Sequence, residues 1–186
     1  MPTNRPIAYI DSKEFNLSSV CNSEAIYTLY ENIPNINVGL YIYGPAGTGK
    51  TTIAHSFAQK WIQHHEGDMR IKVHAYDWYE ICEAMKAITH KTQKQISMLY
   101  NIREGFKSEH CLTIIDDFAG GRVTEFIADE WSEIIREADK KGGRVIFTSN
   151  VNPKGIKESF GEQILSRIAG MTMFVETTGK DRRGNG

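Results

Sequence analysis

"LYIYGPAGTGKTTIA", Leu40–Ala54, decides how the rest of the chain is read. An apolar run stops at Gly44, two more glycines follow at Gly47 and Gly49, and Lys50-Thr51-Thr52 opens an amphipathic stretch. Gly44 to Thr51 fits G-x-x-x-x-G-K-[ST]. Glycines there let the backbone curl so that successive N–H groups face the β- and γ-phosphates of a nucleotide, and the following helix N-terminus adds positive potential. The expected phosphate-binding residues are Gly44, Pro45, Ala46, Gly47, Thr48, Gly49, Lys50, Thr51 and Thr52. Lys50 is expected to reach the phosphates and the Thr51 hydroxyl to bind Mg²⁺. The motif follows a predicted strand and precedes a predicted helix, which is the context it needs.

Working outward, 186 residues suggest a single domain. A net charge of -1 gives no global electrostatic case for nucleic acid or an anionic membrane, so any DNA contact must come from a local patch. Cys21, Cys82 and Cys111 are scattered without CxxC spacing and read as reduced, packed thiols. His64-His65 is followed by Glu66-Gly67-Asp68 and reads as a polar loop, not a metal site. The N-terminus, MPTNRPIAYIDSKEF, has no signal-peptide core, and no apolar run approaches the ~18 residues a membrane span needs. A cytoplasmic location without membrane contact is expected.

Along the chain, "NSEAIYTLYENI" reads as a helix capped by Asn22 or Ser23, with Ile26, Leu29, Tyr30 and Ile33 at helical spacing and Pro34 as its stop. Strands are expected at 38–44, 71–77, 111–117, 144–150 and 171–178. Helices alternate with them: the stretch after Lys50, a long tract up to about Phe106, "VTEFIADEWSEIIREADKK" up to Gly142-Gly143, and "GEQILSRIAG". That alternation means βαβ units and a parallel sheet, and near-continuous apolar strands fit burial on both faces.

Two further strand ends carry chemistry. "LTIIDD" ends at Asp116-Asp117. A carboxylate at this place in phosphate-loop ATPases holds Mg²⁺, and Asp116 fits that role; Asp117 beside it can polarise an attacking water. Both could instead merely end the strand at solvent. "VIFTSN" ends at Asn150, whose amide would sit next to the phosphates if this strand neighbours the first. Asn150 could equally be a turn former before "VNP".

Taken together, "GPAGTGKTTIA", "LTIIDDFAGGRVTEFIADEW", "VIFTSNVNP" and "ILSRIAG" with "ETTGKDRR" resemble the AAA+ ATPases, and within them the DnaC/DnaI/IstB group of helicase loaders and transposition ATPases. The resemblance runs from about Phe15 to Arg183. It implies a three-layer α/β P-loop NTPase fold (AAA+/RecA-like) with a five-stranded parallel sheet. It also implies ATP/ADP and Mg²⁺ as ligands, and ATPase activity stimulated by assembly or DNA, with slow turnover expected from Asp117 standing in for the usual Glu. By resemblance, the catalytic residues are Lys50, Asp117, Asn150 (sensor 1) and Arg167, an arginine finger reaching a neighbouring subunit's ATP site. Arg183 resembles the sensor 2 arginine, with Arg182 as the alternative. The implied partners are further copies of the chain joined through ATP sites at subunit interfaces, a replicative helicase, and single-stranded DNA.

The chain departs from the pattern in places. The usual catalytic Glu is Asp117 here, one methylene shorter. With 43 residues before Gly44, a full helicase-docking domain is not expected, nor is a lid domain of the usual AAA+ size after Arg183. The expectation is an isolated core or a minimal loader of phage or plasmid type; docking by the short N-terminal segment is a further alternative. The expected organisation is an N-terminal segment with one helix at 1–37, an ATPase core at 38–183 and a flexible tail at 184–186. The tract after the second strand is the implied DNA-facing insertion. Lys86, His90, Lys91 and Lys94 give it a basic face, Thr89, Thr92 and Ser97 are phosphate donors, and Trp78 and Tyr79 either stack on bases or pack in the core. The alternative functions are an IstB-type transposition ATPase acting on duplex DNA, a small P-loop nucleotide kinase, and a nucleotide-bound scaffold.

Overall fold

The structure, a computed structural model, describes residues 26, 30, 31, 39–87, 90–138 and 143–178. Five strands, β1 (Gly39–Tyr43), β2 (Lys72–Asp77), β3 (Cys111–Asp116), β4 (Arg144–Ser149) and β5 (Thr172–Glu176), form one all-parallel sheet in the order β2-β3-β4-β1-β5. Between them lie α1 (Lys50–His64), α2 (Trp78–Lys86), α3 (Gln93–Gly105), α4 (Glu125–Ala138), α5 (Pro153–Phe160) and α6 (Glu162–Met171). The α/β class and the five parallel strands agree with expectation.

The strand order explains the layers. Only the β1-to-β2 connection runs toward the β2 edge; the other three run the opposite way. Right-handed crossovers therefore put α1 on one face and the remaining helices on the other. The side chains follow. Leu40, Ile42, Leu112, Ile114 and Ile146 pack with Ile53, Phe57 and Trp61 of α1, while the alternate residues Tyr41, Ile115, Val145 and Phe147 face Trp78, Ile102, Trp131 and Ile168. The central strands are thus apolar on both sides, as a covered parallel sheet requires.

Two expectations about helices are corrected. The tract up to Phe106 is two helices, because Thr92 starts α3 with a capping box: its hydroxyl accepts from Gln95 N at 3.2 Å and Gln95 Oε1 accepts from Thr92 N at 2.9 Å. The segment after Asn150 carries a helix, α5, where none was expected. Asn152 caps it by accepting from Gly155 N at 3.0 Å, and Pro153 occupies its first position, where a missing N–H costs nothing. Ile26, Tyr30 and Glu31 are helical, and Ile26 and Tyr30 pack against the α1 face. The rest of the expected N-terminal helix, including Asn22, Ser23, Leu29 and Ile33, lies outside the described residues, as do Cys21, Thr89, Arg182, Arg183 and the tail at 184–186.

Cys82 and Cys111 are free thiols, and burial holds both thiol pKa values up, that of Cys82 at about 11, so both are protonated at neutral pH. Among the described residues no helix is long and apolar enough to cross a membrane.

Candidate nucleotide site

The site forms where the C-terminal ends of β1, β3 and β4 meet. Tyr43 is in register with Ser149, and Ile115 with Phe147, so Gly44, Asp116 and Asn150 emerge at one edge of the sheet. Strand ends at a topological switch are where α/β sheets bind ligands. Here β1 lies next to β4, so the conditional expectation for Asn150 is met: its amide stands beside the loop.

The loop Gly44–Gly49 turns on left-handed glycines at Gly47 (φ 74°) and Gly49 (φ 87°), conformations that a Cβ would strain. Gly49 precedes α1 without a side-chain cap, and the first turn of α1 carries no acidic residue. The helix thus presents its positive end and N–H groups to the loop with no carboxylate from its own first turn.

Lys50 is 92% shielded from solvent, with 8% of its surface exposed. Its ammonium donates to Gly44 O at 2.9 Å, Pro45 O at 2.7 Å and Asn150 Oδ1 at 2.8 Å. Asn150 Nδ2 donates to Asp117 Oδ1 at 2.9 Å. Lys donates only and a carboxylate accepts only, so the orientation of the Asn150 amide is dictated by its two neighbours.

Thr51 Oγ1 donates to Asp116 Oδ1 at 2.9 Å, and Thr148 Oγ1 also donates to that oxygen. A threonine hydroxyl beside a carboxylate is a hard oxygen pair, the donor set that suits Mg²⁺ shared with phosphate oxygens and water. Thr51 and Asp116 would hold the ion, which would neutralise phosphate charge.

Asp117 sits in a tight turn with φ 53°, and Ala119 follows with φ 61°. For residues bearing a Cβ these left-handed values carry strain, which persists only where surroundings over-determine it. The surroundings are visible. Asp117 N donates to Thr148 Oγ1 at 3.1 Å, Phe118 N to Thr148 O at 2.8 Å, and Ser149 Oγ to Phe118 O at 2.6 Å. Between the two strained residues, Phe118 is fully buried among Tyr41, Trp78, Trp131, Phe147 and Phe160. Gly120 makes room for the turn: a Cβ there would lie 2.8 Å from Asp117 Oδ2.

His55 lies one turn after Thr51 on α1. Its pKa is lowered by burial, with the Asp116 carboxylate opposing. Arg167 lies half-buried on α6, immediately before buried Ile168.

The tract after β2 resolves an alternative left open by the sequence. Trp78 is core at 2% exposure, whereas Tyr79 is 70% exposed. The expected basic face is partly engaged: Lys86 pairs with Glu83 at 3.1 Å, Lys94 with Glu80 at 3.4 Å, and Lys91 donates to Ala87 O at 2.6 Å. Tyr100 and Ile96 of α3 are also exposed.

Sequence reading missed Thr148, Ser149 and Thr177. A signal existed only for the first two, in the polar "TS" that interrupts an apolar strand before Asn150.

Fold and site together define an AAA+ P-loop ATPase core. The pattern of the bacterial DnaA ATPase domain matches residues 7–174, most of the chain, and the chain belongs to that family. Similar solved structures include the DnaC helicase loader (TM-score 0.69, 17% identity, 90% of this chain and 100% of that one) and DnaI (0.67, 18%, 94% and 95%). Domain III of the Thermotoga maritima replication initiation protein DnaA is also similar (0.66, 20%, 91% and 69%). At these identities the likeness is one of fold. No curated protein matches the chain.

Proposed function

We propose that this chain binds and hydrolyses ATP as a switch, acting as a replicative helicase loader or adaptor that assembles on single-stranded DNA or a helicase ring. The observation that carries the reading is the convergence of Lys50, Asn150 and Asp117 in one hydrogen-bonded chain beside the Thr51–Asp116 pair. Family membership and the fold shared with the DnaC loader over that chain's full length support it.

In this reading Lys50 and the loop N–H groups neutralise the β- and γ-phosphates. Asp117 accepts a proton from the attacking water while Asn150 orients it. Arg167 completes a neighbour's site and makes turnover depend on assembly; such a finger contributes about 10³–10⁵ in rate in other P-loop enzymes. Arg183, with Arg182 as the alternative, takes the sensor 2 role by the same resemblance. Exposed Tyr79 and Tyr100 support stacking contact with single-stranded DNA, with the half-engaged lysines as phosphate partners.

The test is ATP turnover per subunit across protein concentrations, with and without single-stranded DNA. A specific rate that rises with concentration and responds to DNA is expected. A flat rate indifferent to DNA refutes the shared site. Turnover that needs a phosphate acceptor other than water supports the kinase reading instead.

A further inference from the structure

We infer that Thr177, the residue just beyond β5, is a positioning residue for the phosphate loop, acting through Thr48. This rests on the ATP-binding reading of that loop. Thr177 is 4% exposed, as is Thr48, and their hydroxyls lie 2.8 Å apart although the residues are 129 positions apart in the chain. Thr48 Oγ1 donates to Pro45 O at 2.9 Å; Thr177 Oγ1 donates to Tyr43 O at 3.1 Å, and Thr177 N donates to the same oxygen at 2.7 Å. The end of β5 is thereby stapled to both ends of the loop.

Proton counting gives the staple a purpose. The two hydroxyls have two protons for three contacts: Pro45 O, Tyr43 O and each other. Both carbonyls have a second donor, Lys50 for Pro45 O and Thr177 N for Tyr43 O. When Lys50 turns to a phosphate, its bond to Pro45 O is given up, and the loop loses the contact that ties its first turn to α1. Thr48 keeps that carbonyl paired. Thr177 holds Thr48 in the rotamer that does so, and can still donate to Thr48 because Tyr43 O retains the Thr177 N–H. The pair therefore lets Lys50 leave the loop without the loop losing its shape. Gly44 belongs to the same arrangement: a Cβ there would lie 2.2 Å from Thr177 O and 2.5 Å from its hydroxyl. The chain can pass β5 this closely only because position 44 has no side chain.

The experiment is equilibrium titration of the full chain with a fluorescent ATP analogue, using Thr177→Val, Thr177→Ser, Thr48→Val and the double valine variant, with thermal melting alongside. Valine keeps the shape and removes the hydroxyl; serine keeps the hydroxyl. We expect Thr177→Val to bind about tenfold more weakly, Thr177→Ser to stay within about twofold of the parent, and the double variant to be no weaker than the weaker single one. At saturating ATP the turnover of Thr177→Val should stay within about twofold of the parent, which separates loop positioning from catalysis. Equal affinity of Thr177→Val and parent overturns the inference while leaving the ATP reading intact. So does a serine variant as weak as the valine one, or strictly additive losses in the double variant. If Thr177→Val does not fold, Thr48→Val against Thr177→Ser carries the same comparison. A parent chain that binds no nucleotide overturns the ATP reading and the inference with it.

Discussion

Lys50 and Asn150 are joined by a 2.8 Å hydrogen bond between residues one hundred positions apart, and Asn150 passes the contact on to Asp117 at 2.9 Å. A cation and a carboxylate are thus coupled through one amide with its acceptor end toward the lysine and its donor end toward the acid. Asn150→Ala removes this coupling but leaves the loop, Lys50 and Thr51 in place. We expect ATP affinity within a few-fold of the parent and a kcat lower by about 10²–10³, the range for deleting one preorganised polar group. Single-turnover hydrolysis and equilibrium binding measured together check it; a matching loss in both would show that Asn150 serves binding and not the chemical step.

Lys50→Ala and Asp117→Asn separate binding from chemistry. Lys50→Ala is expected to lose nucleotide binding, and unchanged ATP affinity would end the phosphate-loop assignment. Asp117→Asn keeps the size of the side chain and removes its basicity, so it should bind ATP normally and turn over about 10²–10⁴-fold more slowly.

Arg167 stands on α6, on the sheet face opposite α1. If it completes a neighbour's site, Arg167→Ala should bind ATP normally yet lose assembly-dependent turnover. The decisive measurement mixes Arg167→Ala with Lys50→Ala subunits, each inactive alone. Recovery of turnover in the mixture is expected, because interfaces then form that pair an intact loop with an intact arginine. No recovery at any ratio counts against action across an interface.

Phe118 fills the aromatic cluster directly beside Asp117, stacking on Phe160 with ring centroids 5.3 Å apart. Phe118→Ala should cost about 3–5 kcal/mol of stability by urea unfolding, the usual range for emptying an aromatic core site. At temperatures where it remains folded it should still bind ATP but hydrolyse it slowly, since the strained φ of Asp117 is held by this anchor.

His55 and His74 both have pKa values lowered from 6.5, in each case mainly by burial. The unfolded chain then binds more protons than the folded one between the folded pKa values and about 6.5, so stability rises with pH across that window. The contribution is full above 6.5 and is lost as pH falls through the folded values. Urea unfolding at pH 7.5, 6.5 and 5.5 should show falling stability, and His55→Gln should flatten the dependence. An unchanged slope in that variant would assign the effect elsewhere.

What the sequence alone determined is local. The phosphate loop was legible because a left-handed glycine, a lysine and a threonine at set spacing form a cradle wherever they follow a strand and open a helix. The strands were legible because burial on both faces demands continuous apolar runs. Asp116 and Asp117 stood out as charges ending such a run. Even the two misread helices had local signals, the Thr92–Gln95 capping box and the Asn152-Pro153 start, outweighed by the surrounding helical tract and the turn-like "VNP". Tertiary structure alone decided which strands are neighbours. Placing β1 between β4 and β5 brings Asn150 to Lys50 and Thr177 to Thr48, contacts that no periodicity encodes. Likewise Trp78 and Tyr79 are adjacent aromatic residues, and only the helices packed over the sheet put one in the core and the other in solvent. Local pattern depends on the conformation of a few consecutive residues, whereas partner choice depends on surfaces that exist only once the sheet has closed.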